Sequence, residues 1–389
     1  MKIALVIDHF DPRRGGRESY TVSLGRGLVR SGHEVHVFAH TGAEVGEEIR
    51  FHRLPSISYP RWAKSLSLAL SAHLVLRSKD FDVVQGVGRI PGVDVYRPGG
   101  GAELASLIQA LRAREKGPDR FFTAIRRILN LKAGVNILIE RTLYGASDPP
   151  IIVANSQKVK KDILRFYRWM DPSKIRVIYN GVDVDRFHPR NKGRLGQGVR
   201  RAFGLVEDTV VILFMAHNFR LKGLHCLIRA LGGIGKDTGN WVLLAAGRGR
   251  KGPFERLAKR CGIGGKTYFL NGVGNPEAIL GASDILVHPT FYDPFSNVCL
   301  EAMASGVPVI TTSHNGVVEI IQDGVSGYVI PDPRSVDLLG QRILALIMNS
   351  QERERMGDEA RGIAEKFSWD RHLCEMEALY KEILEGHNR

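Results

Sequence analysis

Asp293-Pro294-Phe295-Ser296-Asn297-Val298-Cys299-Leu300-Glu301 is the stretch on which the reading of this chain turns. Residues 284–290 (DILVHPT) come before it, a short apolar run that stops at a proline and reads as a buried strand. Residues 298–305 (VCLEAMAS) read as a helix closed by Gly306, and residues 307–312 as the next strand. A carboxylate, Asp293, therefore sits in a strand-to-helix loop. A second, Glu301, lies eight positions on, about one turn inside the helix. Ser296 or Asn297 can cap that helix, leaving backbone N–H groups aimed at the loop. N–H groups and the helix dipole suit phosphates, and carboxylates suit sugar hydroxyls.

The same alternation runs outward in both directions. Residues 3–7 form an apolar strand, followed by the loop DHFDPRRGGR with adjacent Gly15 and Gly16, a helix over 18–30 and a strand over 34–39. Further strands are expected at 81–85, 93–96 and 151–155, with a helix over 158–167. In the second half, strands are expected at 210–216, 241–246 and 266–270, with a helix over 224–231. Strand, loop, helix, strand, repeated along two halves, is the pattern of doubly wound α/β domains. A boundary near residue 172 gives domains 1–172 and 173–366, with a last helix over 367–389.

The chain has 389 residues, 43% hydrophobic and 25% charged, enough to bury a core without disulfide staples. The four cysteines are far apart and form no CxxC pair, which points to a reducing compartment. The apolar run at the N-terminus is short and broken by Asp8, and nothing approaches 18 consecutive apolar residues. The net charge of +14 is uneven: residues 1–185 hold 29 basic and 19 acidic side chains, the remainder 26 and 22. That favours an anionic partner for the first half. Residues 104–141 carry Arg112, Arg114, Lys116, Arg120, Arg126, Arg127, Lys132 and Arg141 among apolar positions at helical spacing. A basic amphipathic stretch of this kind fits an anionic membrane surface, and a helix packed inward with a solvated basic face would use the same spacing.

The Asp293–Glu301 segment, continuing as Ala302-Met303-Ala304-Ser305-Gly306-Val307-Pro308-Val309, resembles the acidic-x7-acidic motif of the retaining family 4 glycosyltransferases. Here Asp stands for the first Glu, and Ser296 for a Gly common after the aromatic. Residues 175–183 (IRVIYNGVD) resemble the interdomain signature of that family. The wording from Gly88 to Glu103, PGVDVY above all, looks like the lipopolysaccharide core glucosyltransferases. The resemblance implies the GT-B fold, two Rossmann-like domains facing across a cleft, the last helix returning to the first. It implies a retaining transfer of a hexose, glucose in the nearest subgroup, from a UDP-sugar to a lipopolysaccharide core or other lipid-linked saccharide. It also implies a cytoplasmic enzyme peripheral on the inner face of the plasma membrane, with no cofactor, no divalent metal and no nucleic-acid partner.

The site residues follow from the same resemblance. Lys222 and Arg220 would neutralise the diphosphate, Asp293 would orient the sugar and Glu301 would hold the ribose hydroxyls. Gly15, Gly16, Arg248, Val273, Phe295, Ser296 and Asn297 would line the donor, and Arg97 and Glu103 the acceptor. Three motifs are read against it. Residues 247–252 match GxGxxG, but no carboxylate follows about 20 residues on, so the loop is not a dinucleotide fingerprint. Asp183-Val184-Asp185 matches a metal-binding DxD but sits in a turn after Asn180-Gly181. Asp8-His9, after the first strand, could be an acid–base pair or structural. Two rivals stand beside the transferase: a GT-B nucleotide-sugar epimerase, which needs no acceptor, and a catalytically weak nucleotide-sugar-binding protein at a membrane.

Overall fold

The computed structural model describes residues 1–42, 48–57, 59–77, 80–113, 131–234, 238–272 and 274–387. They form two compact units, which part between Tyr179 and Asn180. The first holds Met1–Leu111, the described residues from Leu131 to Tyr179, and the chain from Asp370 onward; the second holds Asn180–Trp369 together with Arg112 and Ala113.

The first unit is built on a seven-stranded parallel sheet: β1 (Lys2–Phe10), β2 (Glu34–Gly42), β3 (Arg50–Arg53), β4 (Val83–Gly86), β5 (Val95–Tyr96), β6 (Ile151–Ala154) and β7 (Ile175–Val177). Their order is β3-β2-β1-β4-β5-β6-β7, so the winding reverses between β1 and β4. In open α/β sheets that reversal marks where ligands collect, at the carboxyl ends of the strands. Ile3, Ala4, Leu5, Val6 and Ile7 are fully buried, as expected of a central parallel strand covered on both faces. The helices of this unit are α1 (Gly16–Arg30), α2 (Arg61–Arg77), α3 (Glu103–Arg112), α4 (Leu131–Tyr144) and α5 (Gln157–Phe166). Of the basic stretch expected to be helical over 104–141, the structure describes α3 and α4. Arg114, Lys116, Arg120, Arg126 and Arg127 lie outside the described residues.

The second unit is a six-stranded parallel sheet of β8 (Val210–Met215), β9 (Trp241–Gly247), β10 (Thr267–Asn271), β11 (Ile285–His288), β12 (Val309–Thr312) and β13 (Gly327–Ile330), in the order β10-β9-β8-β11-β12-β13. Its helices are α6 (Gln197–Ala202), α7 (Leu224–Gly233), α8 (Gly252–Arg260), α9 (Pro276–Gly281), α10 (Asn297–Ala304), α11 (Val336–Met348) and α12 (Ser350–Ala364). One core joins Ile212 and Phe214 of β8, Leu243 of β9, Ile285 and Val287 of β11, Leu227 and Leu231 of α7, and Ile343 and Leu346 of α11. The winding reverses between β8 and β11, and the loops leaving those two strands carry the site described below.

The last helix, α13 (Trp369–His387), completes the first unit. His372 donates through Nδ1–H to the Tyr179 carbonyl at 2.7 Å, and its Nε2 accepts from the Tyr20 hydroxyl at 3.0 Å. Burial pushes the His372 imidazole down to about 3, so the ring stays neutral at any working pH. Tyr380 donates to Gln85 at the end of β4. Gly27 on α1 faces the Leu373 side chain, 3.1 Å from where a Cβ would stand, so a larger residue there pushes against α13.

Candidate active site

Two loops of the second unit make the site, and glycine geometry sets the first. The first, residues 216–223, runs from β8 into α7. Gly223 adopts a left-handed conformation (φ 81°), and a Cβ there would stand 1.9 Å from the Pro289 carbonyl oxygen. Only glycine lets the start of α7 close onto the loop that follows β11. Gly247 at the end of β9 (φ 146°) packs in the same way, 1.8 Å from the Ala216 carbonyl. We predict that Gly223→Ala costs at least about 2 kcal/mol, from the left-handed penalty plus the backbone clash. Chemical denaturation checks it: an unchanged midpoint would contradict this geometry.

The second loop, 289–296, is pinned strand to strand. The Thr311 hydroxyl donates to the His288 carbonyl at 2.8 Å, and Thr312 to the Thr290 carbonyl at 2.5 Å. Asp293 N–H donates to the His314 carbonyl at 3.1 Å, and Gly316 N–H to the Asp293 carbonyl at 2.9 Å. Asn315, fully buried, accepts from the Ser296 and Val317 N–H groups at 3.2 Å each and donates to Thr311 Oγ1 at 3.0 Å.

Into this frame the chain sets a charged cluster. Lys222 Nζ lies 2.6 Å from Asp293 Oδ2 and donates also to the Tyr292 carbonyl at 2.9 Å. His288 Nε2–H donates to the same Asp293 oxygen at 3.2 Å. Burial alone would raise the Asp293 carboxyl, but the Lys222 ammonium and the His288 hydrogen bond outweigh it and hold it far below the carboxylate range. Burial lowers His288, so the imidazole is neutral and gives its proton to the Asp293 contact. Asp293 is thus ionised across the working pH range and preformed in contact with Lys222.

Helix α10 begins at Asn297. Ser296 occupies the cap position, yet its side chain caps no N–H, contrary to the expectation for Ser296 or Asn297. The Asn297 side chain instead accepts from Asn180 at 2.5 Å. The first-turn N–H groups of α10 therefore have no side-chain cap and remain available to an anion. Phe295 is buried at the start of this turn. Glu301, one turn in, is partly buried, and its carboxylate makes no hydrogen bond or ion pair with a described residue. Burial lifts its carboxyl to about 7; Arg186 opposes the shift and Glu277 adds to it. Arg220 is half-buried and Arg248 exposed, and neither guanidinium pairs with a described residue.

The structure brings Asp293, Lys222, Phe295, Ser296, Asn297 and Glu301 together on neighbouring loops of one unit. Val273 lies outside the described residues. Gly15, Gly16, Arg97 and Glu103 belong to the first unit. Gly15 and Gly16 open α1. Arg97 is buried with its guanidinium 3.5 Å from the Tyr20 ring centre. Glu103 accepts from Arg89 at 2.7 Å, and its N–H donates to the fully buried Glu140, which also holds Arg89 at 2.9 Å and the Tyr167 hydroxyl at 2.6 Å. As placed, Arg97 and Glu103 serve the packing of their own unit. The Asp183 carboxylate accepts the Arg186 N–H at 2.9 Å, so the DxD sequence closes a turn. Among the described residues, no group of three or more His, Cys, Asp and Glu could hold a metal ion. His288 and Asn315 were missed in the sequence, and Asn180 was taken only as a turn residue. A histidine ending an apolar strand five residues before Asp293 was the available signal for the first.

Two family models match successive parts of the chain: Glycosyltransferase Family 4 over residues 14–186 and Glycosyl transferases group 1 over residues 198–363. The chain belongs to the GT-B glycosyltransferase family. Among curated relatives, this glycosyltransferase is 24% identical to the D-inositol 3-phosphate glycosyltransferase of Corynebacterium glutamicum, covering 100% of this chain and 98% of that one. It is 23% identical to the lipopolysaccharide glucosyltransferase WaaG of Escherichia coli, covering 90% and 91%. The crystal structure of a WaaG superposes with a TM-score of 0.80 at 22% identity, over 93% of this chain and 95% of that one. Anabaena Alr3699/HepE, solved with UDP and glucose, superposes with a TM-score of 0.73 at 18% identity, over 98% and 100%. These likenesses bear out the GT-B architecture of two parallel-sheet Rossmann-like units.

Proposed function

We propose that this glycosyltransferase is a retaining, metal-independent enzyme that moves a hexose, glucose first among them, from a UDP-sugar to a lipopolysaccharide core or other lipid-linked saccharide. The observation that carries the reading is the Lys222–Asp293–His288 cluster beside the uncapped start of α10, with Glu301 unpaired one turn away. Breaking the anomeric C–O bond leaves UDP with one further negative charge, its terminal phosphate a dianion, and an oxocarbenium-like sugar. Lys222, Arg220 and the α10 N–H groups stabilise the departing phosphate. Asp293 accepts hydrogen bonds from sugar hydroxyls, and Glu301 from the ribose. The departing phosphate takes the acceptor proton, so the scheme needs no protein nucleophile. HepE's complexes with UDP and glucose and WaaG's glucosyltransferase name support the choice of donor. The inositol phosphate in the name of the Corynebacterium relative sets a second acceptor to be screened.

The test is incubation with UDP-glucose alone, then with truncated core saccharide or D-inositol 3-phosphate, each in excess chelator. Transfer only with an acceptor, at an undiminished rate in chelator, is expected. Epimerisation without acceptor would favour the epimerase, and no turnover with any donor the binding protein. Activity lost in chelator and restored by manganese would overturn metal independence.

The proposed site of action is the inner face of the plasma membrane, held peripherally. Among the described residues, no helix is long and apolar enough to cross a membrane. Support comes from α2, which contains no acidic residue and exposes Leu66 (42%), Leu70 (56%) and Leu74 (69%) at four-residue spacing. Trp62 and Tyr59 extend the exposed face toward its N-terminal end. A stripe of this kind beside basic residues suits an anionic leaflet. The protein is expected to pellet with anionic vesicles at low salt and release at high salt, and Leu66→Ser, Leu70→Ser and Leu74→Ser combined should abolish pelleting. A triple variant that pellets like the parent would remove α2 from the reading.

A further inference from the structure

We propose that His288 is a positioning residue for the donor sugar: together with Lys222 it fills one oxygen of Asp293, so that the carboxylate meets the sugar through the other oxygen alone and reads a single hydroxyl. This role rests on the transferase reading above. Both contacts fall on Oδ2, from Lys222 Nζ at 2.6 Å and His288 Nε2 at 3.2 Å. Oδ1 takes no hydrogen bond from a described residue, and the Asp293 side chain keeps 12% of its surface exposed. The imidazole is held from two sides. His288 closes β11 in register with Thr311 of β12, whose hydroxyl bonds its carbonyl at 2.8 Å. Its ring lies nearly parallel to that of Phe214 on β8, with 19° between the planes and 6.2 Å between the centres.

An ionised carboxylate carries no proton, so Nε2 donates and the neutral ring is left with a bare Nδ1. That nitrogen is buried and finds no hydrogen-bond partner among the described residues. The residues before it in β11, Ile285, Leu286 and Val287, are fully buried and apolar. One more apolar residue would continue the strand without an orphaned acceptor, whose burial is unfavourable. What histidine supplies and leucine cannot is an N–H aimed at Oδ2. A lysine alone is a loose guide, because its ammonium rides on a flexible stem. The flat ring, fixed by its backbone and by Phe214, adds a second direction. Two donors on one oxygen hold the carboxylate against rotation about its Cβ–Cγ bond, a torsion that is otherwise soft. A carboxylate held in this way loses little freedom when a hydroxyl arrives, and it offers that hydroxyl one oxygen.

Titration calorimetry on the full chain tests this, with UDP, UDP-glucose and the 2-, 3-, 4- and 6-deoxyglucose analogues of the donor as probes. In the parent, one analogue should bind at least about tenfold more weakly than UDP-glucose, having lost a hydrogen bond to a charged acceptor. Asp293→Ala should erase the penalty for that analogue alone. His288→Leu should cut the same penalty to about threefold or less while UDP and the other analogues keep their order. His288→Gln should restore it, because its amide reaches as far as Nε2; His288→Asn, which reaches only as far as Nδ1, should not. A full penalty in His288→Leu, or equal behaviour of the Gln and Asn variants, would overturn the positioning role. A uniform loss across UDP and every analogue in a folded His288→Leu protein would make His288 a packing residue only. If circular dichroism shows His288→Leu unfolded, the contrast between the Gln and Asn variants decides. Two analogues whose penalties both vanish in Asp293→Ala would overturn the reading of a single hydroxyl. Failure of the parent protein to bind UDP-glucose at all would instead indict the transferase reading.

Discussion

Lys222→Ala is expected to lower turnover with the UDP-sugar by about 100-fold or more, the scale of removing one preorganised group that stabilises charge at the reacting centre. The effect should be larger on kcat than on KM, because the phosphate gains its extra charge only as the anomeric bond breaks. The same substitution strips Asp293 of its strongest partner, at 2.6 Å in a buried site. Leaving one partner of a buried pair uncompensated costs about 3 kcal/mol or more, so the variant should also unfold at lower denaturant. The double variant Lys222→Met with Asp293→Asn separates the two losses: it should recover stability while remaining inactive. Normal turnover in Lys222→Ala would remove Lys222 from the chemistry.

Glu301→Gln should make UDP binding nearly independent of pH and weaken it by about tenfold at pH 8, since ionised acceptors make the stronger hydrogen bonds to hydroxyls. In the parent protein, affinity should fall as pH drops through about 7, where Glu301 takes up its proton. The folded-state pKa of this acid lies above its unfolded value of 4.5. Folding therefore favours the protonated form; the advantage is present below pH 4.5 and is lost as pH rises through 7. Glu301→Gln should thus stabilise the ligand-free protein at pH 8, by up to about 3 kcal/mol. Calorimetric titration of UDP between pH 5.5 and 8.5, with denaturation of both proteins at pH 8, measures both effects. A parent affinity flat across that range would exclude Glu301 from the ribose.

The strands and the two-unit plan were legible in the sequence because buried parallel strands are uninterrupted apolar runs, as in VVILFM of β8 and WVLLAA of β9. Asp293 and Glu301 were legible because their spacing is local to one loop and helix. The partners of Asp293 were harder. Lys222 lies 71 positions away in sequence, and Gly223, left-handed against Pro289, brings it back together with the Phe291 N–H bond to the Leu221 carbonyl. His288 was hidden as the last residue of an apolar run. Arg97 and Glu103 were read as ligand-facing, yet Arg97 is buried under Tyr20 and Glu103 is tied to Arg89. A charged residue beside a glycine-rich loop carries no local mark of whether its partner is a ligand or a distant side chain.

The return of α13 to the first unit has a consequence for how the molecule is born. The chain leaves that unit at Tyr179 and comes back at Asp370, so the second unit is an insertion within the first. On the ribosome, the insertion can close while its host is still missing a helix. Until residues 370–389 emerge, Gln85 at the end of β4 and Tyr20 of α1 wait without Tyr380 and His372. Nascent chains halted before Asp370 emerges should hold a protease-resistant second unit beside a first unit open to cleavage. The order of folding would then be the reverse of the order of synthesis.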